Sequence, residues 1–220
     1  MGDKKELESR SYLCEVRAEM TDRGAVLVGR PIVYNSRTDL GYYDEIIEAG
    51  ALDRTDLTDV RFLVNHDLSK IPLARSRRNN GNSTMQLSID AQGLAIRVLL
   101  DVENNAEARA LYSAVERGDI TGMSFMFIVR DEEWENLDSE HPTRHIKDIS
   151  TVVEVSAVTF PAYDSTEIQA RSKSALDSAR KELESSRQSR AEALDSANNE
   201  LELAKAKYQF RSLFTGGKTK

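Results

Sequence analysis

From about residue 11 to residue 168 the apolar positions recur mostly with a period of two, the spacing that puts alternate side chains of a strand on one buried face. "SYLCEVRAEM" and "AVLVGRPIVY" read as strands on either side of a turn at Asp22-Arg23-Gly24. "GYYDEIIEAGAL" reads as a short irregular or helical connection, "DVRFLVNHD" as the next strand, and "RRNNGNS" as a turn cluster. "TMQLSID" and "LAIRVLLD", joined by "AQG", form a hairpin, with Met85, Leu87 and Ile89 on one arm facing Leu94, Ile96, Val98 and Leu100 on the other. The pattern switches once, in "NNAEARALYSAVERGD". There Asn104 or Asn105 caps a helix, Leu111, Ala114 and Val115 form its inward stripe, and Gly118 stops it. "MSFMFIV" and "ISTVVEVSAVTF" return to strand spacing, separated by the acidic loop "RDEEWENLDSEHPTRH". Strands without regular strand-helix-strand alternation predict a mainly β, α+β domain, a closed or partly closed barrel with flanking helices.

From residue 169 the composition turns to Ala, Ser, Glu, Lys, Arg and Leu with helical spacing. "ALDSARKELE" at 175–184 returns as "ALDSANNELE" at 193–202. That offset is five helical turns, so both copies present the same face. Leu176, Ala179, Leu183, Ala193, Ala197, Leu201, Ala204 and Tyr208 make a narrow stripe, interrupted by Ser186 and Arg190. The chain therefore divides into a domain at 1–168 and a charged helical, coiled-coil extension with a flexible tail at 169–220. A charged single helix or a disordered tail would carry much the same composition.

At 220 residues there is material for one sizeable core and an appendage. A net charge of -7 argues against nucleic acid as the principal partner, since phosphate binding needs clustered cations. The single cysteine, Cys14, excludes an internal disulfide, suits a reducing cytoplasm, and reads as a small apolar strand residue. No apolar run approaches membrane-spanning length, and "MGDKKELESR" lacks the apolar core of a secretion signal. Three scattered histidines without a Cys-His cluster speak against a zinc site, and no cofactor motif is present.

Three residues carry candidate chemistry. His66 ends the strand "VRFLVNHD", on the face shared by Val60, Phe62 and Val64, where the pattern turns polar. An isolated histidine of this kind is more often a satisfied, half-buried residue than a catalyst. Ser124 opens a strand after Gly122, in "GDITGMSFMFIVRD". Glu154 is a lone acid among Val152, Val153, Val155, Val158 and Phe160, and burying it demands a cationic or hydrogen-bonding partner; on an edge strand it would instead face water. A hydroxyl, an imidazole and a carboxylate permit a serine hydrolase, because the imidazole takes the hydroxyl proton and the carboxylate orients it. Spacing alone does no more than permit it.

The ordered segments "EIIEAGAL", "LVNHD", "GDITGMSFMF" and "VVEVSAVTFPAYDST" resemble the phage prohead (capsid maturation) proteases of the HK97 type, relatives of the herpesvirus assemblins. The resemblance spans about residues 10 to 170. It implies an assemblin-like β-barrel with flanking helices, with Ser124 as nucleophile and His66 as base. The phage branch places an acid in its "EVS" strand, which matches Glu154, whereas assemblins use a second histidine. His145 is therefore the reserve candidate, and His141 the other competitor, both beside the polar loop. Backbone N–H groups around Gly122 to Phe125 are expected to give one oxyanion donor.

The resemblance thus implies a serine endopeptidase, with no metal or cofactor, that removes the scaffold region of the major capsid protein inside the prohead in the host cytoplasm, and cleaves itself. Its expected partners are the capsid protein and its scaffold region, with self-association through the C-terminal helix and neither nucleic acid nor membrane. The alternative is a non-catalytic, scaffold-binding assembly protein on the same fold.

Overall fold

The computed structural model describes residues 7–13, 16–159 and 166–215; Cys14 lies outside them. The chain separates into two compact units, Met1–Lys173 and Ser174–Lys220.

The first unit holds two sheets. In chain order its strands are β1 (Leu7–Leu13), β2 (Val16–Thr21), β3 (Gly24–Val33), β4 (Arg37–Asp39), β5 (Asp44–Ile47), β6 (Asp59–Val64), β7 (Ala74–Arg77), β8 (Met85–Asp90), β9 (Gly93–Leu100), β10 (Gly122–Glu135) and β11 (Thr143–Val158). Helix α1 (Ala106–Glu116) sits between β9 and β10. The larger sheet runs β1-β10-β11-β5-β4, and β6 pairs in parallel with the second half of β11 and carries β7 on its far side. The smaller sheet runs β2-β3-β9-β8.

Met123, Phe125, Phe127, Val155 and Phe62 of the larger sheet share one core with Leu27, Met85, Ile96 and Val98 of the smaller one and with Ala108, Leu111 and Val115 of α1. Asn105 caps α1, its Oδ1 accepting from the N–H groups of Glu107 (2.9 Å) and Ala108 (3.2 Å). Gly93 is obligatory at its turn: at φ +134° a Cβ would lie 2.1 Å from the Ile32 carbonyl oxygen.

Four expectations change. The barrel is the first: in neither sheet does the last strand pair with the first, so the described strands remain two open sheets. Alternation reports which face of a strand is buried, and a barrel and a two-sheet stack bury the same positions; edge pairing carries no such signal. Second, "SYLCEVRAEM" is not one strand. β1 joins β10 and β2 joins β3, so the chain changes sheets within it. Third, "GYYDEIIEAGAL" contains strand β5, whose Glu45 and Ile47 point inward while Asp44 and Ile46 are half-buried. Fourth, most of the acidic loop is strand. β10 and β11 stay paired as far as Glu135 and Thr143, held by the edge-on packing of Tyr43 on Trp134 (4.8 Å between ring centres) and by Arg144 bonding to Glu132.

The second unit is helical: α2 runs Thr166–Thr215, beginning in the first unit and supplying the described part of the second. Leu176 is buried, whereas Leu194, Leu201 and Leu203 are more than half exposed. No helix among the described residues is long and apolar enough to cross a membrane.

Candidate active site

The site forms on the face of the larger sheet opposite the core. Met123, Phe125 and Phe127 point into the core, so Ser124 between them points the other way. Ser124 lies directly across from Ser156 on β11 and from Ser11 on β1, which sets three serines in one row across the sheet. Glu154, two residues before Ser156, shares that face.

His66 reaches this face through an unusual turn. β6 stops at Val64, and Asn65 and His66 both adopt left-handed backbone, at φ 53° and 58°. That conformation suits asparagine but costs a histidine about 1 kcal/mol. Hydrogen bonds hold the turn in place. The Asn65 N–H donates to the Ala157 carbonyl (3.0 Å), and Asn65 Oδ1 accepts from the N–H (3.0 Å) and hydroxyl (3.2 Å) of Thr159. The turn thus carries the ring away from the ridge of Val60 and Phe62, which enters the core, and over the opposite face.

There the imidazole joins the other two candidates. His66 Nδ1 lies 2.5 Å from Glu154 Oε1, and His66 Nε2 is hydrogen-bonded to Ser124 Oγ. Ser124 and Glu154 have no exposed surface, and the His66 side chain is one-fifth exposed. A carboxylate at Nδ1 fixes the tautomer that leaves Nε2 free to accept the serine proton, the arrangement nucleophilic catalysis requires.

Ser124 has a second outlet for its proton. Its Oγ lies 2.7 Å from the Arg10 carbonyl, to which it can donate, and accepts from the Ser11 hydroxyl at 2.8 Å. Donation to His66 is the arrangement that would prime the oxygen for attack. Residues 122–125, where an oxyanion donor was expected, pair with β1 on one side and β11 on the other.

The other two histidines are elsewhere. His145 Nδ1 is 2.8 Å from Glu48 Oε1 and its Nε2 is 3.4 Å from Glu135 Oε2. It precedes Glu154 by nine residues on β11, roughly 30 Å of strand. His141 is exposed beside Asp44 and Asp39, at 3.2 and 3.7 Å.

A buried ion network ties β1 to β5 and β11. Arg10 binds Glu45 through Nε (2.5 Å) and Nη2 (2.6 Å), and Arg144 binds both oxygens of Glu8 (2.7 and 2.8 Å). Burial by itself would raise the Glu8 carboxyl, but hydrogen bonds from Arg144 and the charges of Arg10 and Arg144 bring it down to about 2. Beside the His66 turn, a cavity of about 440 Å³ is lined by Leu63, Asn65, Ile71, Ala110, Leu111 and Ile120, among others.

The family model of the caudovirus prohead serine protease matches residues 13–181. The chain belongs to this family. It is accordingly a serine peptidase of phage capsid maturation. Among solved structures, the capsid assembly protease of bacteriophage T4 is similar, at 10% identity and a TM-score of 0.35, over 69% of this chain and 98% of the other. Comparison with curated proteins gives no match.

Sequence reasoning on this prohead protease did not find Ser11, Asn65 or Ser156. Ser156 had a usable signal, its place two residues after Glu154 in a strand. Ser11 and Asn65 depend on strand pairing and on a backbone reversal, and neither leaves a periodic trace.

Proposed function

We propose that this protease is an endopeptidase that removes the scaffold region of the major capsid protein within the prohead, and cuts its own chain there. Ser124 Oγ attacks the scissile carbonyl carbon as His66 Nε2 takes its proton. The imidazolium, stabilised by Glu154, then returns the proton to the departing amine. Water, deprotonated by His66, releases the acyl group and restores Ser124. The observation that carries this reading is the continuous contact from Ser124 Oγ through His66 to a fully buried Glu154. The cavity beside the His66 turn, mostly apolar but lined also by Asp67, Lys70 and Glu107, takes a substrate side chain.

On this reading the protein is encoded by a phage or prophage and acts inside proheads assembled in the host cytoplasm, on an assemblin-like arrangement of strands. Residues 1–168 form the protease domain and 169–220 an extension that pairs with helical scaffold segments or with a second copy of itself. The test is co-expression with the major capsid protein of the same phage, followed by mass spectrometry. The wild-type chain should shorten the capsid protein, and Ser124→Ala and His66→Ala should each leave it intact. Undiminished processing by Ser124→Ala removes the reading.

A further inference from the structure

Glu154 Oε1 faces His66, and its second oxygen is also held. The Ser156 hydroxyl donates to Glu154 Oε2 at 2.6 Å, and the same hydroxyl oxygen accepts the backbone N–H of His66 at 3.1 Å. Ser156 has no exposed surface. One oxygen atom thereby touches both the acid and the strained backbone that presents the base. Period two along β11 puts Ser156 on the face of Glu154, and the left-handed residues Asn65 and His66 aim an N–H at it. Without that acceptor, the half-buried N–H would lose its partner and the turn a tie at a left-handed residue.

We infer that Ser156 is a positioning residue for the catalytic pair: it fixes the Glu154 carboxylate and the His66 backbone relative to each other, so that Nδ1 and Nε2 align with their partners. The role rests on the reading of Ser124, His66 and Glu154 given above. Other charges near the pair are engaged elsewhere. Arg61, opposite Glu154 on β6, binds Asp59, and the Arg10 guanidinium on β1 binds Glu45 and Glu8. On β10 the residue opposite Glu154 is Met126.

The test is proton NMR of the histidine rings in the full chain, with His66 assigned by comparison with His66→Ala. Ser156→Ala frees both the Glu154 carboxylate and the His66 backbone from their shared partner, so the His66 titration midpoint should move away from its wild-type value. Ser156→Thr keeps the hydroxyl and should restore it, with His141 and His145 unchanged in both. Processing of co-expressed capsid protein should slow on the order of 10- to 100-fold in Ser156→Ala and recover in Ser156→Thr. If Ser156→Ala does not fold, Ser156→Cys, of similar shape and a weaker donor, should shift the midpoint in the same direction by less. An unchanged His66 titration overturns the role of Ser156, as does a shift equal in Ala and Thr variants, which would mark packing and not the hydroxyl. Because the titration needs no proteolysis, its failure is distinct from that of the enzyme reading, which is decided by the processing test on the wild type, Ser124→Ala and His66→Ala.

Discussion

His66 Nδ1 lies 2.5 Å from Oε1 of Glu154, a carboxylate with no exposed surface. The distance is short enough for the carboxylate to dictate the tautomer. Glu154→Gln keeps the shape but replaces an acceptor with an amide that can present a donor to Nδ1, and it removes the charge that stabilises the imidazolium. Processing should fall by about three to four orders of magnitude. His145→Ala should stay close to wild type, because His145 binds Glu48 and Glu135 at the far end of β11. Reversed results, read by capsid-protein processing, would reassign the third role to His145.

Acid should loosen β1. The folded-state value of Glu8 is lowered to about 2 from its ordinary 4.5. A carboxyl depressed on folding contributes stability above the unfolded value, and loses it as pH falls through the folded one. The window is therefore about pH 4.5 down to 2, and the contribution is on the order of 3 kcal/mol. Urea unfolding at stepped pH should show the loss. Glu8→Gln should be less stable than wild type at pH 7 and should lack this part of the acid dependence. Equal acid slopes for the two proteins would show that Glu8 is not the group responsible.

The cavity beside His66 offers a separate handle on substrate binding. Ala110 is an exposed residue of α1 that lines it. Ala110→Phe would fill part of the space from the solvent side without entering the core. With a peptide spanning the processed site, KM should rise about tenfold while kcat and thermal stability stay near wild type. An unchanged KM would mean that the substrate side chain lies elsewhere.

The elements that are periodic were legible in the sequence. The hairpin of β8 and β9 and helix α1 with its Asn105 cap follow from patterns within each segment. Ser124, His66 and Glu154 could be named individually, since each stands out against its neighbours, yet their meeting depends on strand order. His66 is instructive. Continuing the alternation of Val60, Phe62 and Val64 put it on the inward ridge, whereas two left-handed residues end the strand and turn it to the other face. The ion network escaped for a related reason. Glu8, Arg10, Glu45 and Arg144 look like solvated charges on three separate stretches, and burial is tolerable only because pairing β1, β5, β10 and β11 brings opposite charges together.

The C-terminal helix poses a separate question of function. Its repeat keeps one leucine-alanine stripe in register over five turns, and on that face Leu194, the repeat of Leu176, and Leu201 are more than half exposed. An exposed apolar stripe flanked by charge gains stability from a partner helix, and its alanines allow close approach. On the proposed reading that partner is a helical scaffold segment or a second copy, and the extension would raise the local concentration of enzyme at its substrate and leave the chemistry alone. The compact unit that holds Ser124, His66 and Glu154 ends at Lys173. A chain ending at Lys173 should therefore cleave a short peptide at close to the wild-type rate, while fewer copies enter proheads and processing there slows. Peptide assays of the purified protein and quantitative mass spectrometry of isolated proheads measure the two effects. Loss of peptide cleavage in a folded truncation would make the helix part of the catalytic unit, and unchanged incorporation would remove its role in delivery.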